Sequence, residues 1–311
     1  MALFQVKGKT LKPLAEKAFD LEKHLQVLTE QNLEAIFGLQ FISGKLNRQL
    51  TIHGFEIDTL AFDPEIKSFV IIEYKKDQNF SVIDQGYNYL GLMLNNKADF
   101  ILEYNERLRA NFKKNDIDWS QSRVIFISPA FTSHQRGAIA FKDLPIELWE
   151  VKLYDQKLVL YNKIEAQKSA ESIQKISKNK TVSDVSREIK VYTLDDHLKK
   201  ASNEIRQIFN RMREEIINWN SKVEEKALSW YVGYKIGSYN FVIVSFYKNK
   251  LRIHIRKDQI NDPRKRFKMV PEKYGWGKTK IWLTDITTNE DMHYAIKIIR
   301  EGYNYWVEKA K

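Results

Sequence analysis

Apolar positions change their spacing several times along the chain, and each change predicts an element. Between Asp20 and Phe37, the residues Leu21, Leu25, Leu28, Leu33, Ile36 and Phe37 fall near one helical stripe. A long hairpin is predicted next, with Leu50 to Phe62 as one arm, Ser68 to Lys75 as the other and Asp63-Pro64-Glu65 as the turn. Within Phe80 to Leu94, the residues Ile83, Tyr87, Leu90 and Leu94 return to helical spacing, and a second helix is expected over Ala98 to Phe112. Arg123 to Ser128 reads as a buried strand stopped by Pro129. Phe131 to Phe141 reads as a short helix, and Leu148 to Tyr154 with Lys157 to Asn162 as a pair of strands. This order of helix, hairpin, helix, strand, helix and strand predicts an α/β fold.

From Glu165 to Lys190 the pattern fades. The stretch has no aromatic residue and no glycine, and it is dense in serine and charge, so a linker or exposed helix is expected over 164–192. That divides the chain into a first domain, 1–163, and a second, 193–311. In the second, Asp195 to Lys226 looks helical. Strands are predicted at Trp230–Ile236, Tyr239–Tyr247, Lys250–Arg256 and Lys280–Leu283. A last helix from Asn289 buries Met292, Ile296, Ile299, Tyr303 and Trp306. This half is predicted to be α+β.

Composition narrows the possibilities. Hydrophobic residues make up 43% and aromatics 13%, as in a globular protein. No apolar run approaches the roughly 18–20 residues of a membrane span, and the N-terminus lacks a signal-peptide core, so a cytoplasmic protein without membrane contact is expected. The absence of cysteine excludes disulfides, zinc–thiolate centres and cysteine nucleophiles. Any metal must then be held by carboxylates or histidines, a donor set suited to Mg²⁺ or Mn²⁺. The net charge of +11 is uneven: residues 164–311 carry 30 Lys and Arg against 19 Asp and Glu, while residues 1–163 balance at 21 each. A basic second half suits a polyanion such as nucleic acid.

The hairpin carries the candidate chemistry. Side chains alternate along Phe69-Val70-Ile71-Ile72-Glu73-Tyr74-Lys75, so Glu73 and Lys75 share a face and Tyr74 takes the other. Closing the hairpin around Asp63 and Ser68 places Asp58 opposite Glu73. Like charges directly opposed on a half-buried hairpin are destabilising, and a bridging divalent cation would neutralise both. On the following helix Gln85 and Tyr89 are four apart and share a face. Upstream, Glu34 offers a third carboxylate, with Glu30 one turn earlier as its alternative.

Taken in order, Glu34, Asp58, Glu73-Tyr74-Lys75 and Gln85-x-x-x-Tyr89 resemble the motifs of PD-(D/E)xK nucleases, in the variant with a Q-x-x-x-Y motif found in RecB-type nucleases. The resemblance covers about residues 20–130, and Ile57 stands where the proline of the pattern would be. It implies a restriction-endonuclease-like core, a mixed central sheet flanked by helices. It also implies an Mg²⁺- or Mn²⁺-dependent endonuclease activity hydrolysing phosphodiester bonds, most naturally in DNA. Asp58 and Glu73 would bind the metal, joined by Glu34 and by the backbone carbonyl of Tyr74. Lys75 would position the attacking water and stabilise charge on the phosphorane. Gln85 and Tyr89 would orient Lys75 or touch the phosphate. Many nucleases of this class act as dimers, so a homodimer is compatible with the resemblance. The alternative is a catalytically inactive protein of this fold that binds nucleic acid or a protein partner.

In the second half, Lys250 to Arg256 alternates: Leu251, Ile253 and Ile255 face in, while Arg252, His254 and Arg256 face out. Arg264, Lys265, Arg266 and Lys268 follow, then Lys273, Lys278 and Lys280, interleaved with Tyr274, Trp276 and Trp282. Cations with interspersed rings suit phosphate contacts and base stacking. This region is also similar to a small domain of unknown function that occurs alone or fused to nuclease-like domains. Gly277-Lys278-Thr279 is not a P-loop, because Glu272 occupies the position of its first glycine.

Overall fold

The computed structural model describes residues 3–19, 22–75, 81–139, 141, 144–165, 180–271 and 279–309. The chain divides into two compact units. The first comprises Met1–Asp63 and Lys67–Val191; the second comprises Pro64–Ile66 and Tyr192–Lys311.

Unit 1 opens with a small hairpin, β1 (Phe4–Lys7) and β2 (Thr10–Pro13), and a two-residue strand, β3 (Glu16–Lys17). Helices α1 (Glu22–Glu30) and α2 (Leu33–Phe37) follow, then β4 (Gln40–Gly44), β5 (Thr51–Ile52), β6 (Phe55–Glu56), β7 (Thr59–Asp63) and β8 (Ser68–Tyr74). The remainder is α3 (Val82–Asn95), α4 (Lys97–Leu108), β9 (Arg123–Ser128), α5 (Ser133–Ala138), β10 (Ile146–Tyr154), β11 (Leu158–Ile164) and α6 (Lys180–Glu188). The central sheet runs β11-β10-β9-β8-β7-β4, with β3 also paired to β10. Pairings β8–β9 and β9–β10 are parallel, and the others are antiparallel. The unit is thus a mixed α/β sandwich. Parallel neighbours require crossovers, which α3–α4 and α5 supply.

Alternation along the strands feeds two cores. Leu60, Phe62, Phe69, Ile71, Val124, Phe126 and Leu148 pack with α3, α4 and α6 on one face. Ala61, Val70, Ile72, Tyr74, Ile125, Ile127 and Val151 pack with Leu25 and Leu33 on the other.

Three expectations are corrected here. The helix expected over 20–37 is two helices, because α1 stops at Glu30 and the chain turns at Gln31 and Asn32. The first hairpin arm is not one strand. Residues 51–56 fold back on themselves around His53 and Gly54, whose φ values of 49° and 81° are the left-handed pair a two-residue hairpin loop needs. Finally, α6 lies in the segment expected as a linker or exposed helix; it is a helix, but it buries Val182 and Val185 in the α3-side core.

Unit 2 contains α7 (Leu194–Leu198), α8 (Asn203–Ile217), β12 (Val223–Ala227), β13 (Val232–Ile236), β14 (Tyr239–Tyr247), β15 (Lys250–Arg256), β16 (Lys268–Met269), β17 (Ile281–Ile286) and α9 (Asn289–Lys309). Its antiparallel sheet, in the order β12-β13-β14-β15-β17-β16, shares one core with α8 and α9. The helix expected over 195–226 ends early: Ala201 and Ser202 separate α7 from α8, and β12 follows.

Candidate active site

The β7–β8 hairpin pairs Thr59 with Ile72, Leu60 with Ile71 and Asp63 with Ser68. This is the register expected from the sequence; the ladder ends at Thr59–Ile72, and Asp58, in a bend just before β7, lies close enough to Glu73 for its charge to act on that carboxyl. Leu60 and Phe62 on one strand and Phe69 and Ile71 on the other belong to the α3-side core. The same parity carries Glu73 onto that face, whereas Tyr74 is buried in the opposite core. Asp58 Oδ2 accepts from the Tyr74 backbone N–H at 3.2 Å, which ties the end of β7 to the end of β8. Lys75 Nζ donates to Glu73 Oε1 at 2.7 Å.

Burial sets the electrostatics. Asp58 is half-buried and Glu73 only 5% exposed. Desolvation raises the Asp58 carboxyl above the ordinary carboxylate range, against the pull of the Tyr74 N–H, Lys75 and Lys45, with Glu30 adding to the rise. Glu73 is raised by burial first and then by Asp58, while Lys75 and the Tyr89 hydroxyl oppose the shift. Tyr89 is raised in turn by its own burial and by the charge of Glu73, so the phenol keeps its proton. Glu73 Oε2 is buried and has no hydrogen-bond partner among the described residues. A half-satisfied buried carboxylate is costly unless something else supplies the missing charge.

Helix α3 overlooks this face. Ser81 caps it by accepting from the Asp84 N–H at 3.2 Å. Gly86 lets it lie close to the sheet, since a Cβ there would fall 2.8 Å from Ile146 Cγ1. The helix thereby brings Tyr89 to Glu73 and leaves Gln85 Oε1 buried without a partner among the described residues. A hollow of about 680 Å³ runs beside Gln85 and Tyr89, and another of about 460 Å³ adjoins Lys75 and Pro129 at the ends of β8 and β9.

Glu34 is not brought to the site. It is exposed on α2, and among the described residues no hydrogen bond or ion pair joins it to Asp58 or Glu73. The α1–α2 break separates it from Glu30, which is the buried carboxylate of this region at 3% exposure. Glu30 is also committed. Its Oε1 accepts from Thr59 Oγ1 at 2.6 Å, Gln26 Nε2 at 3.0 Å and the Lys45 N–H at 2.8 Å, and its Oε2 accepts from the Leu46 N–H at 2.8 Å. Gln26 Nε2 also donates to the Asp58 carbonyl at 2.7 Å. This network holds the backbone that presents Asp58, and sequence reasoning missed it. Gly44 was its visible trace: a Cβ there would collide with Glu30 Oε1 and lie 2.9 Å from the Asp58 carbonyl oxygen.

Among the described residues, no three Asp, Glu or His side chains form a metal-holding group. The pair Asp58 and Glu73 still fits Mg²⁺ or Mn²⁺ by its chemistry. Both donors are oxygens, one is unpartnered, and Mg²⁺ is commonly held by one or two carboxylates with water and substrate phosphate completing the shell.

In unit 2 the expected polyanion-binding residues are largely engaged with one another's neighbours. Strand β15 alternates as expected, but its second face is not open. His254 pairs in register with Ile243, which is fully buried. Burial and then Arg252 push the His254 imidazole down to about 4, so it is neutral at ordinary pH. Arg256 is 7% exposed and ion-paired with Glu65, which corrects its expected outward position. Arg252 donates to Asp285 through Nε at 2.8 Å and Nη2 at 3.1 Å. Arg264 pairs with Glu290 at 3.1 Å and Arg266 with Asp291. Lys265 and Lys268 are exposed. Trp282 is no stacking platform, since it packs against the core and donates to the Lys257 carbonyl at 2.9 Å. Lys273, Tyr274, Trp276 and Lys278 lie outside the described residues.

No helix among the described residues is long and apolar enough to cross a membrane. No solved structure matches the chain. Residues 194–305 match the family described as Domain of unknown function (DUF5655). An "Uncharacterized protein" of Haemophilus influenzae (strain ATCC 51907 / DSM 11121 / KW20 / Rd) is 40% identical over 305 residues, covering 97% of this chain and 99% of its own. At that identity and coverage, the chain belongs to the same family as this Haemophilus influenzae protein.

Proposed function

We propose that unit 1 is a metal-dependent phosphodiester hydrolase with a restriction-endonuclease-like core, acting on nucleic acid and by resemblance on DNA. The observation that carries this reading is the closeness of the Asp58 and Glu73 carboxyls at the hairpin end, with Lys75 bonded to Glu73 and Glu73 Oε2 without a hydrogen-bond partner among the described residues. By that geometry Glu73 Oε2 lacks a hydrogen bond among the described residues, although the Tyr89 hydroxyl acts on the same carboxyl, and a cation would supply the charge that remains uncompensated. A chain without cysteine is also at home in the reducing cytoplasm.

Asp58 and Glu73 would hold the cation. Bound there, Mg²⁺ or Mn²⁺ would lower the pKa of a coordinated water and polarise the scissile phosphate. The Lys75 ammonium, which donates to Glu73 Oε1, would bring its positive charge to a phosphate oxygen or the attacking water. The Tyr89 hydroxyl, held protonated, steadies Glu73. Gln85 has a carbonyl oxygen available for a substrate donor.

The alternative is an inactive nucleic-acid-binding protein of this fold. Incubation of plasmid and single-stranded DNA with the chain and Mg²⁺ separates the two. The hydrolase reading predicts cleavage that EDTA abolishes and that Lys75→Ala lowers at least about 100-fold, the scale of an electrostatic catalytic group. Cleavage by neither protein, with DNA binding intact in both, would establish the alternative.

A further inference from the structure

The hollow of about 680 Å³ beside α3 differs in chemistry from the carboxylate site it adjoins. Its described walls include His53 and Phe55 from the β5–β6 hairpin and Gln85, Asn88, Tyr89 and Asn95 from α3. No Lys, Arg, Asp or Glu lines it among the described residues. A phosphate would find no countercharge there, so the walls do not suit the backbone of a polyanion. Phe55 is 59% exposed, a large aromatic ring with no core to fill. The Asn88 and Asn95 side chains are exposed and hold no hydrogen bond among the described residues, and Gln85 Oε1 is buried without a partner. Planar amides lining the same hollow as an aromatic ring offer paired donors and acceptors for a heterocycle edge together with a stacking surface for its face.

We propose that this hollow is a nucleobase subsite that takes an unpaired base of the substrate. The proposal deepens the hydrolase reading and rests on it for the position of the phosphate. Tyr89 forms a wall of the hollow and also interacts with Glu73, so a base held there is tethered within a nucleotide's reach of Asp58 and Glu73. Phe55 stacks on the base, and Gln85, Asn88 and Asn95 meet its polar edge. A base paired in a duplex presents neither its face nor its Watson–Crick edge, so the substrate is single-stranded at this position or has the base extruded. The volume lies within the range of about 300–1,000 Å³ usual for small-ligand sites.

Fluorescence anisotropy tests this on the full chain carrying Lys75→Ala, with EDTA present so that no oligonucleotide is cleaved. The probes are a labelled single-stranded 12-nucleotide DNA and the same oligonucleotide made abasic throughout. The native oligonucleotide is expected to bind about 10-fold or more tightly than the abasic one, the scale of one stacked base. Phe55→Ala and Asn88→Ala both alter exposed side chains. Each is expected to narrow the ratio to about 3-fold or less while leaving affinity for the abasic oligonucleotide unchanged. Equal binding of the two oligonucleotides, a ratio unaffected by both substitutions, or no binding at all would overturn the subsite. Failure of the hydrolase reading is distinguishable: the unsubstituted chain would then cleave nothing with Mg²⁺ while base-dependent binding, sensitive to Phe55→Ala, persists.

Discussion

Among the described residues Glu73 is held by a lysine on one oxygen and by no hydrogen bond on the other, and the Asp58 carboxyl lies close to it at the hairpin end. Burial raises both carboxyls above their ordinary range. The folded protein therefore binds these protons more tightly than the unfolded chain does. As pH rises from the ordinary carboxylate value of about 4 through the raised values, stability falls, and above them the full penalty remains. Asp58→Asn removes one of the two charges while keeping an acceptor for the Tyr74 N–H. Without divalent metal at pH 7 it is expected to raise the melting temperature, by about 2–4 °C for each kcal/mol relieved. The gain should shrink as pH falls through the raised values and the native carboxyls take up protons. Calorimetry at several pH values checks this, and an unchanged or lowered melting temperature at pH 7 would mean that Asp58 stabilises the empty fold.

The hairpin, α3 and the network under them set the site at the next scale. Alternation in β8 and the turn at Asp63-Pro64 are local signals, so the register of the hairpin from Thr59–Ile72 to Asp63–Ser68 was legible in the sequence. The i,i+4 spacing of Gln85 and Tyr89 was legible for the same reason. What was not legible depended on contacts distant along the chain. Glu30 outranks Glu34 because the chain turns after α1, and a five-residue α2 carries no periodicity that would reveal the break. Strand β4 and the parallel pairing of β8, β9 and β10 have no local signature either. The outward face of β15 looked open because alternation reports which residues share a face and not what covers it. Gly44→Ala tests the supporting network. The added methyl would press on Glu30 and on the Asp58 carbonyl, so a loss of about 1–3 kcal/mol in stability is expected, together with loss of activity out of proportion to it. Urea unfolding and the cleavage assay, run on one preparation, measure both. A substitution that lowers neither would remove Glu30 and Gly44 from the account.

Across the whole molecule, the charge excess of the second half does not translate directly into a cationic surface. Arg252, Arg256, Arg264 and Arg266 are each paired with a carboxylate within unit 2. The cations left to meet a polyanion there are exposed lysines such as Lys265 and Lys268. If they contact phosphates, Lys265→Gln with Lys268→Gln should lower the slope of log K against log salt by about two for duplex DNA. An unchanged slope would remove both lysines from the interface.

The central claim is that Asp58 and Glu73 share one divalent cation, and the most direct measurement is Mn²⁺ binding followed by electron paramagnetic resonance. The native chain and Glu34→Gln are expected to hold one tightly bound Mn²⁺ each, while Asp58→Asn and Glu73→Gln hold none. Equal Mn²⁺ binding by all four proteins, or loss in Glu34→Gln alone, would contradict the account.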